Sequence, residues 1–135
     1  MILDFTVLRE IVESYLHDNF TLCQVKYENV PLDTSKLDEW IAVFDKPTFS
    51  ESTGLGMQSA LTGGVLVFQI FTPRGTGTQR AREIANELVS LFGEESISGV
   101  ALLTPELHSV PNNESWHQKN LQVPYLAIMG QEITC

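Results

Sequence analysis

The chain predicts an α+β fold: one mixed β-sheet with two helices packed on it, in the order α-β-β-β-α-β-β. Three observations carry this. Two segments repeat apolar residues at helical spacing, while five others alternate or run apolar over strand lengths. The second helical segment lies between two strong strands, the order of a right-handed crossover joining parallel strands from Val65 to Thr104. Finally, 135 residues at 43% hydrophobic and 19% charged suffice for one core, and no repeat or linker breaks the sequence. The expectation is a single domain spanning 1–135.

The first helix is expected over residues 4–17. Leu8, Ile11, Val12, Tyr15 and Leu16 form its apolar stripe, Asp4 stands where an N-cap belongs, and Asp18-Asn19 supplies the stop. "TLCQVKY", 21–27, alternates like a half-buried strand, and "ENVPLDTSKLD" is turn-rich. The run Trp40–Phe44 reads as a strand covered on both faces. Residues 47–64, rich in Ser, Thr and Gly, read as a long mobile loop with a short strand near Met57–Leu61. "VLVFQIFT", 65–72, is β-branched and aromatic and belongs at the centre of the sheet. The second helix buries Ala81, Ile84, Ala85, Leu88 and Phe92 and closes at Gly93. "ISGVALLT", 97–104, is a further strand, "ELHSVPNNESWHQ" a polar loop, and "NLQVPYLAIM" the last strand. Pro124 cannot donate to a ladder and so places that strand at an edge or on a bulge. The strands outside the crossover are expected to pair antiparallel.

The formal net charge is −9, which opposes wrapping of nucleic acid. The N-terminus carries charges within its apolar pattern, unlike a signal peptide, and no apolar run could span a bilayer. A soluble protein made in the cytoplasm, without membrane association, is expected. Cys23 and Cys135 do not make a disulfide framework or a CxxC site.

The segment "FTPRGTGTQRAREIANELV", 71–89, has the outline of a phosphate-binding loop but not its chemistry. A dinucleotide fingerprint needs glycine where Arg80 stands, and a P-loop needs a lysine that is absent. Pro73, Gly75, Thr76 and Gly77 therefore read as a structural turn, with Thr76 and Gln79 at capping-box spacing. Arg74, Arg80 and Arg82 are three of only eight basic residues. They read either as a solvated helix face, with Arg80 near Glu83, or as a patch meeting the acidic surface of a neighbouring copy. His17, His108 and His117 lack the spacing of a metal site, and no G-x-S-x-G elbow occurs. No cofactor, metal or catalytic residue is expected.

"YENVPL", then "GVLVFQIFTPRGTGTQRAREIANEL", then "WHQKNLQVPYLAIM" together resemble the tail-terminator-like proteins of long-tailed bacteriophages. Phe71, Pro73, Gly75, Thr76, Gly77, Arg80 and Ala81 stand at the positions of that family's aromatic–x–Pro–x–Gly-Thr-Gly turn and the helix after it. The resemblance implies a virion assembly protein rather than an enzyme. It implies a homo-hexameric ring at the head-proximal end of the tail that caps the tail tube and stops its growth. It also implies a surface for the head, so the partners would be further copies, the tail tube protein and a head-completion or neck protein. DNA would pass through an acidic lumen without specific binding. On this reading Arg74, Arg80 and Arg82 serve a subunit interface, and a loop holding Ser50, Glu51, Ser52, Thr53, Leu55, Met57 and Gln58 contacts the tube. Two rivals stand beside it. One is another neck or head-completion protein; the other is a small domain binding an anion or nucleotide at the 73–80 loop.

Overall fold

The computed structural model describes residues 2–52, 60–75, 77–94, 96–111 and 116–133. Helix α1 covers Phe5–Asn19 and α2 covers Gln79–Phe92. The strands are β1 Gln24–Lys26, β2 Trp40–Ser52, β3 Ala60–Pro73, β4 Ser96–Ile97, β5 Val100–Leu102, β6 Glu106–Ser109 and β7 Trp116–Met129. They form one mixed sheet in the order β1-β2-β3-β7-β5-β4, with β6 also on β7. The expected α+β class with two helices on a mixed sheet is what the chain adopts.

Strand β3 is the axis of the sheet. It pairs antiparallel with β2 on one side and with β7 along its whole length on the other. Its even residues Leu66, Phe68 and Ile70 meet Ile41 and Val43 of β2 and Leu121 and Val123 of β7 in one buried cluster. Leu8, Val12 and Leu16 of α1 enter the same cluster, as do Ala81, Ile84, Ala85, Leu88 and Phe92 of α2. Both helices therefore lie on one face of the sheet. Tyr15 meets Phe92 edge-on at 5.3 Å between ring centres, which joins the two helices to each other. The odd residues of β3 face the helix-free side, which explains why Gln69 can interrupt an apolar strand: its cross-strand neighbours there are Ala42 and Asn120. The same side stacks Trp40 on Phe71 at 4.0 Å.

Asp4 caps α1 as expected, its carboxylate accepting from the Val7 amide at 2.8 Å. The capping of α2 differs from expectation. The N-cap is Thr78, without a side-chain cap bond, and Gln79 is the first helical residue, so Gln79 cannot close a box from Thr76. Thr76 itself lies outside the described residues. Gly93 is the C-cap, with Glu94 taking the left-handed conformation (φ 54°) after it. What requires glycine at 93 is space, because a Cβ there would come 2.6 Å from the Val89 carbonyl oxygen.

The sheet departs from expectation in several places. The 47–64 segment is not a loop at its ends: β2 continues to Ser52 and β3 begins at Ala60, with Ser52 opposite Ala60. Serine and threonine mask strand character here because both arms are held by neighbours rather than by propensity. The stretch 97–104 is two strands, not one. Ser98 and Gly99, both at positive φ, make a two-residue turn of the kind that suits a tight hairpin. The polar segment after Pro105 contains β6, fastened to β7 by the buried Lys119 ammonium donating to the Ser109 hydroxyl at 3.0 Å. Strand β1 is shorter than the expected 21–27 and pairs parallel with β2, not antiparallel, because residues 27–39 carry the chain back over without reversing it. The crossover strands β3 and β5 do run parallel, but β7 is inserted between them.

Strand β7 is therefore central, contrary to the edge or bulge placement inferred from Pro124. The proline sits where β7 changes partner, after β5 ends opposite Tyr125 and before β6 begins opposite Gln122. Its carbonyl accepts from the Leu103 amide at 2.8 Å on that side. A residue's N–H and C=O face the same neighbour, so the missing N–H falls at a gap in the ladder.

Candidate functional site: assembly surfaces

Three surfaces stand out: the arginine-bearing turn and start of α2, the outer arms of the β2–β3 hairpin, and a groove between α1 and β2. The first begins where β3 ends at Pro73. Gly75 (φ 82°) and Gly77 (φ 83°) take left-handed conformations that side chains resist, which makes them turn residues. A Cβ at either would meet nothing within 4 Å, so backbone conformation, not crowding, selects glycine.

The three arginines differ in exposure and pairing. Arg80 is held within its own chain by a two-pronged ion pair with Glu39: Nε donates to Oε2 at 2.8 Å and Nη2 to Oε1 at 2.7 Å. Nη1 reaches Glu83 at 3.4 Å. The Glu39 bonds raise the Arg80 pKa further, so the cation is permanent. This pair pins the first turn of α2 to the residue preceding β2. Arg74 and Arg82 are exposed. Beside the Arg80–Glu39 pair, Cys23 is pushed up to about 12, first by burial and then by the Glu39 charge. It is an unreactive thiol near neutrality.

The hairpin arms form the second surface. Residues 46–52 of β2 are all exposed although paired to β3. At strand rise this is an exposed run of roughly 20 Å, and its start borders α1, since Pro47 lines a groove with Phe5 and Leu8. Thr48 is the extra residue of a bulge between Pro47 and Phe49, and its hydroxyl donates to the Gly63 carbonyl at 3.0 Å. The Phe49 ring lies over Gly63, where a Cβ would come within 2.2 Å of it. Ser50, Glu51 and Ser52 complete the arm, with Ser50 and Thr62 hydroxyls 2.9 Å apart across the pair. Thr53, Leu55, Met57 and Gln58 lie outside the described residues.

Sequence reasoning missed the third surface. After Ala42 the β1 partner ends, and the edge of β2 beyond it, where the Asp45 amide donates to Glu28 at 3.4 Å, bounds with α1 a cavity of about 320 Å³. Leu8, Val12, Val43 and Leu66 give it an apolar lining, and Glu13, Glu28, Asp45 and Arg9 its charges. Arg9 is already engaged by Glu13 and by the Glu28 carbonyl, the latter at 2.8 Å. Asp45 accepts a 2.6 Å bond from the Tyr125 hydroxyl, yet its pKa is raised, because burial outweighs that bond and Glu28 adds repulsion. These residues come from positions 5 to 66 and show no local motif.

The three histidines sit on α1, β6 and β7, and the His108 ring lies 3.3 Å from the Glu106 carboxylate. Among the described residues no group of three His, Cys, Asp or Glu side chains is placed to hold a metal ion. Among the described residues no helix is long and apolar enough to cross a membrane.

The sequence model of one protein family, described as phage tail terminator protein, matches residues 7–125. A solved structure superposes with a TM-score of 0.74 at 17% identity, over 96% of this chain and 99% of the other, a likeness of fold. No curated protein matches the sequence.

Proposed function

The chain belongs to the phage tail terminator family, structural proteins of the bacteriophage tail, and from that premise we propose that copies of it close into a hexameric ring. The ring caps the tail tube at its head-proximal end, stops tube growth and presents its other face to a head-completion or neck protein. Assembly takes place in the host cytoplasm, and DNA passes through an acidic lumen that repels phosphate.

The observation that carries this reading is the hairpin arm. A run of strand that is exposed from Lys46 to Ser52, bears Phe49 among hydroxyl and acidic side chains, and is stiffened by pairing suits contact with a second protein. In the ring it meets the tube through Ser50, Glu51 and Ser52 and onward through Thr53, Leu55, Met57 and Gln58. Arg74 and Arg82 serve the contact between copies, while Arg80 and Glu39 hold the helix that presents them. Pro73, Gly75 and Gly77 set the turn between β3 and that helix.

Light scattering across concentration, with negative-stain imaging, tests the reading. The expected result is a six-fold ring of six times the 15.1 kDa chain mass, alone or on added tail tubes. Binding to head connectors with no affinity for tubes would make it a neck protein instead. A monomer that ignores tubes and is stabilised by phosphate would return attention to the 73–80 turn.

A further inference from the structure

Resting on the ring reading, we propose that neighbouring copies join through two unlike flanks. The Arg82 side of α2 on one copy seats on the groove between α1 and β2 of the next.

The geometry of α2 separates the two flanks. Arg80 and Glu83 turn toward Glu39 and hence toward the β2 side of the sheet. Arg82 and Val89 come round roughly 160° and 180° from Arg80, on the side away from β2. There Val89 and Pro105 both flank Gly93, since a Cβ on that glycine would lie 3.2 Å and 3.3 Å from them. Leu103, whose carbonyl accepts from the Glu94 amide at 3.4 Å, and Leu107 continue the strip. Val89, Leu103 and Leu107 are large apolar side chains left exposed at 37–40%. The α2 flank is thus an apolar strip with an arginine at its start.

The groove is its complement. Its lining is apolar, Phe5 stands 55% exposed at its mouth, and three of its four charged groups are carboxylates. Since Arg9 is engaged internally, the charge left to a partner is negative. Apolar strip on apolar lining and Arg82 against Glu28 give both area and register. Two unlike surfaces on one chain make a head-to-tail contact, which closes into a ring when the rotation suits. Sheet-edge pairing between copies is disfavoured, because Pro47 lacks a donor and the bulge at Thr48 breaks the regular edge of β2.

The test uses cross-linking in a background with Cys23→Ala and Cys135→Ser. A chain carrying both Glu28→Cys and Arg82→Cys, treated with a short bis-maleimide, should give a covalent ladder ending at six copies. Chains with either cysteine alone should give none. In the unaltered background Arg82→Glu should raise the concentration for half-assembly about tenfold or more, and Glu28→Arg in the same chain should restore it. Rings without a ladder, or dimers from a single-cysteine chain, would overturn the flank assignment and leave the ring standing. So would a ring indifferent to Arg82→Glu. A wild-type chain that stays monomeric even on tail tubes would remove the ring and the flanks together.

Discussion

Tyr125 shows how one residue ties the two hairpin strands to the groove. Its ring lies over Gly64, where a Cβ would come 2.5 Å from the hydroxyl, and that hydroxyl donates across β3 to Asp45 of β2. Glycine at 64 is thus a space requirement that composition alone reads as loop character. Burial first, then the bond to Asp45, pushes the Tyr125 hydroxyl pKa up, so it remains a donor at any physiological pH. Asp45 is the costly partner. Its folded pKa is raised above the ordinary 3.8, so the native state holds that proton more tightly than the unfolded chain. Stability from this group is fully present below the ordinary carboxylate range and is lost as pH rises through the raised value. Asp45→Asn keeps an acceptor for Tyr125 and removes the charge. It should therefore raise the melting temperature at pH 7 by on the order of 2 °C, with the gain gone by about pH 3. Thermal melts of both chains between pH 3 and 7 check this, and a gain independent of pH would show that burial of the charge is not the cause.

The two helices divide the same way between local and distant causes. The start of α1 is local: Asp4 accepts from Val7 three residues on, and the sequence signals Asp4 as the cap. The start of α2 is tertiary, because Thr78 makes no cap bond and the clamp is Arg80 on Glu39, 41 residues away. Asp4→Ala should accordingly cost about 1 kcal/mol in denaturant unfolding and Thr78→Ala a few tenths. Equal losses at the two positions would contradict that division. Legibility followed the same line. Apolar period alone located both helices and the buried strand at 65–72, since those signals lie within one element. It could not locate β6, the arms of the hairpin or the central place of β7, which depend on neighbours far along the chain. The Pro124 rule pointed to an edge because sequence cannot show a gap between two successive partners. The arginine cluster was visible as composition, but the pairing that removes Arg80 from it, and the groove from α1 to β2, exist only in three dimensions.

At the scale of the molecule, the helical layer and the hairpin arm are separate devices on one sheet. The core cluster ties α1, α2 and the sheet together, whereas residues 46–52 lie outside it and contribute exposed surface. Shortening the connection between Ser52 and Ala60 should therefore leave folding and ring contacts intact while changing what the ring can cap. Ser52 and Ala60 face each other across the ladder, so an Asn-Gly pair in place of residues 53–59 joins them by a turn that suits a tight hairpin. The shortened chain should keep its melting temperature within about 3 °C, a shift of about 1 kcal/mol or less for a domain of this size, and should still form rings. Phages carrying it should produce tails of uncontrolled length, scored by electron microscopy of lysates. Tails of normal length would show that the tube is met elsewhere, with the remaining arm at Ser50–Ser52 as the next surface to alter. Loss of rings together with loss of length control, in a chain that melts as the parent does, would place residues 53–59 in the contact between copies.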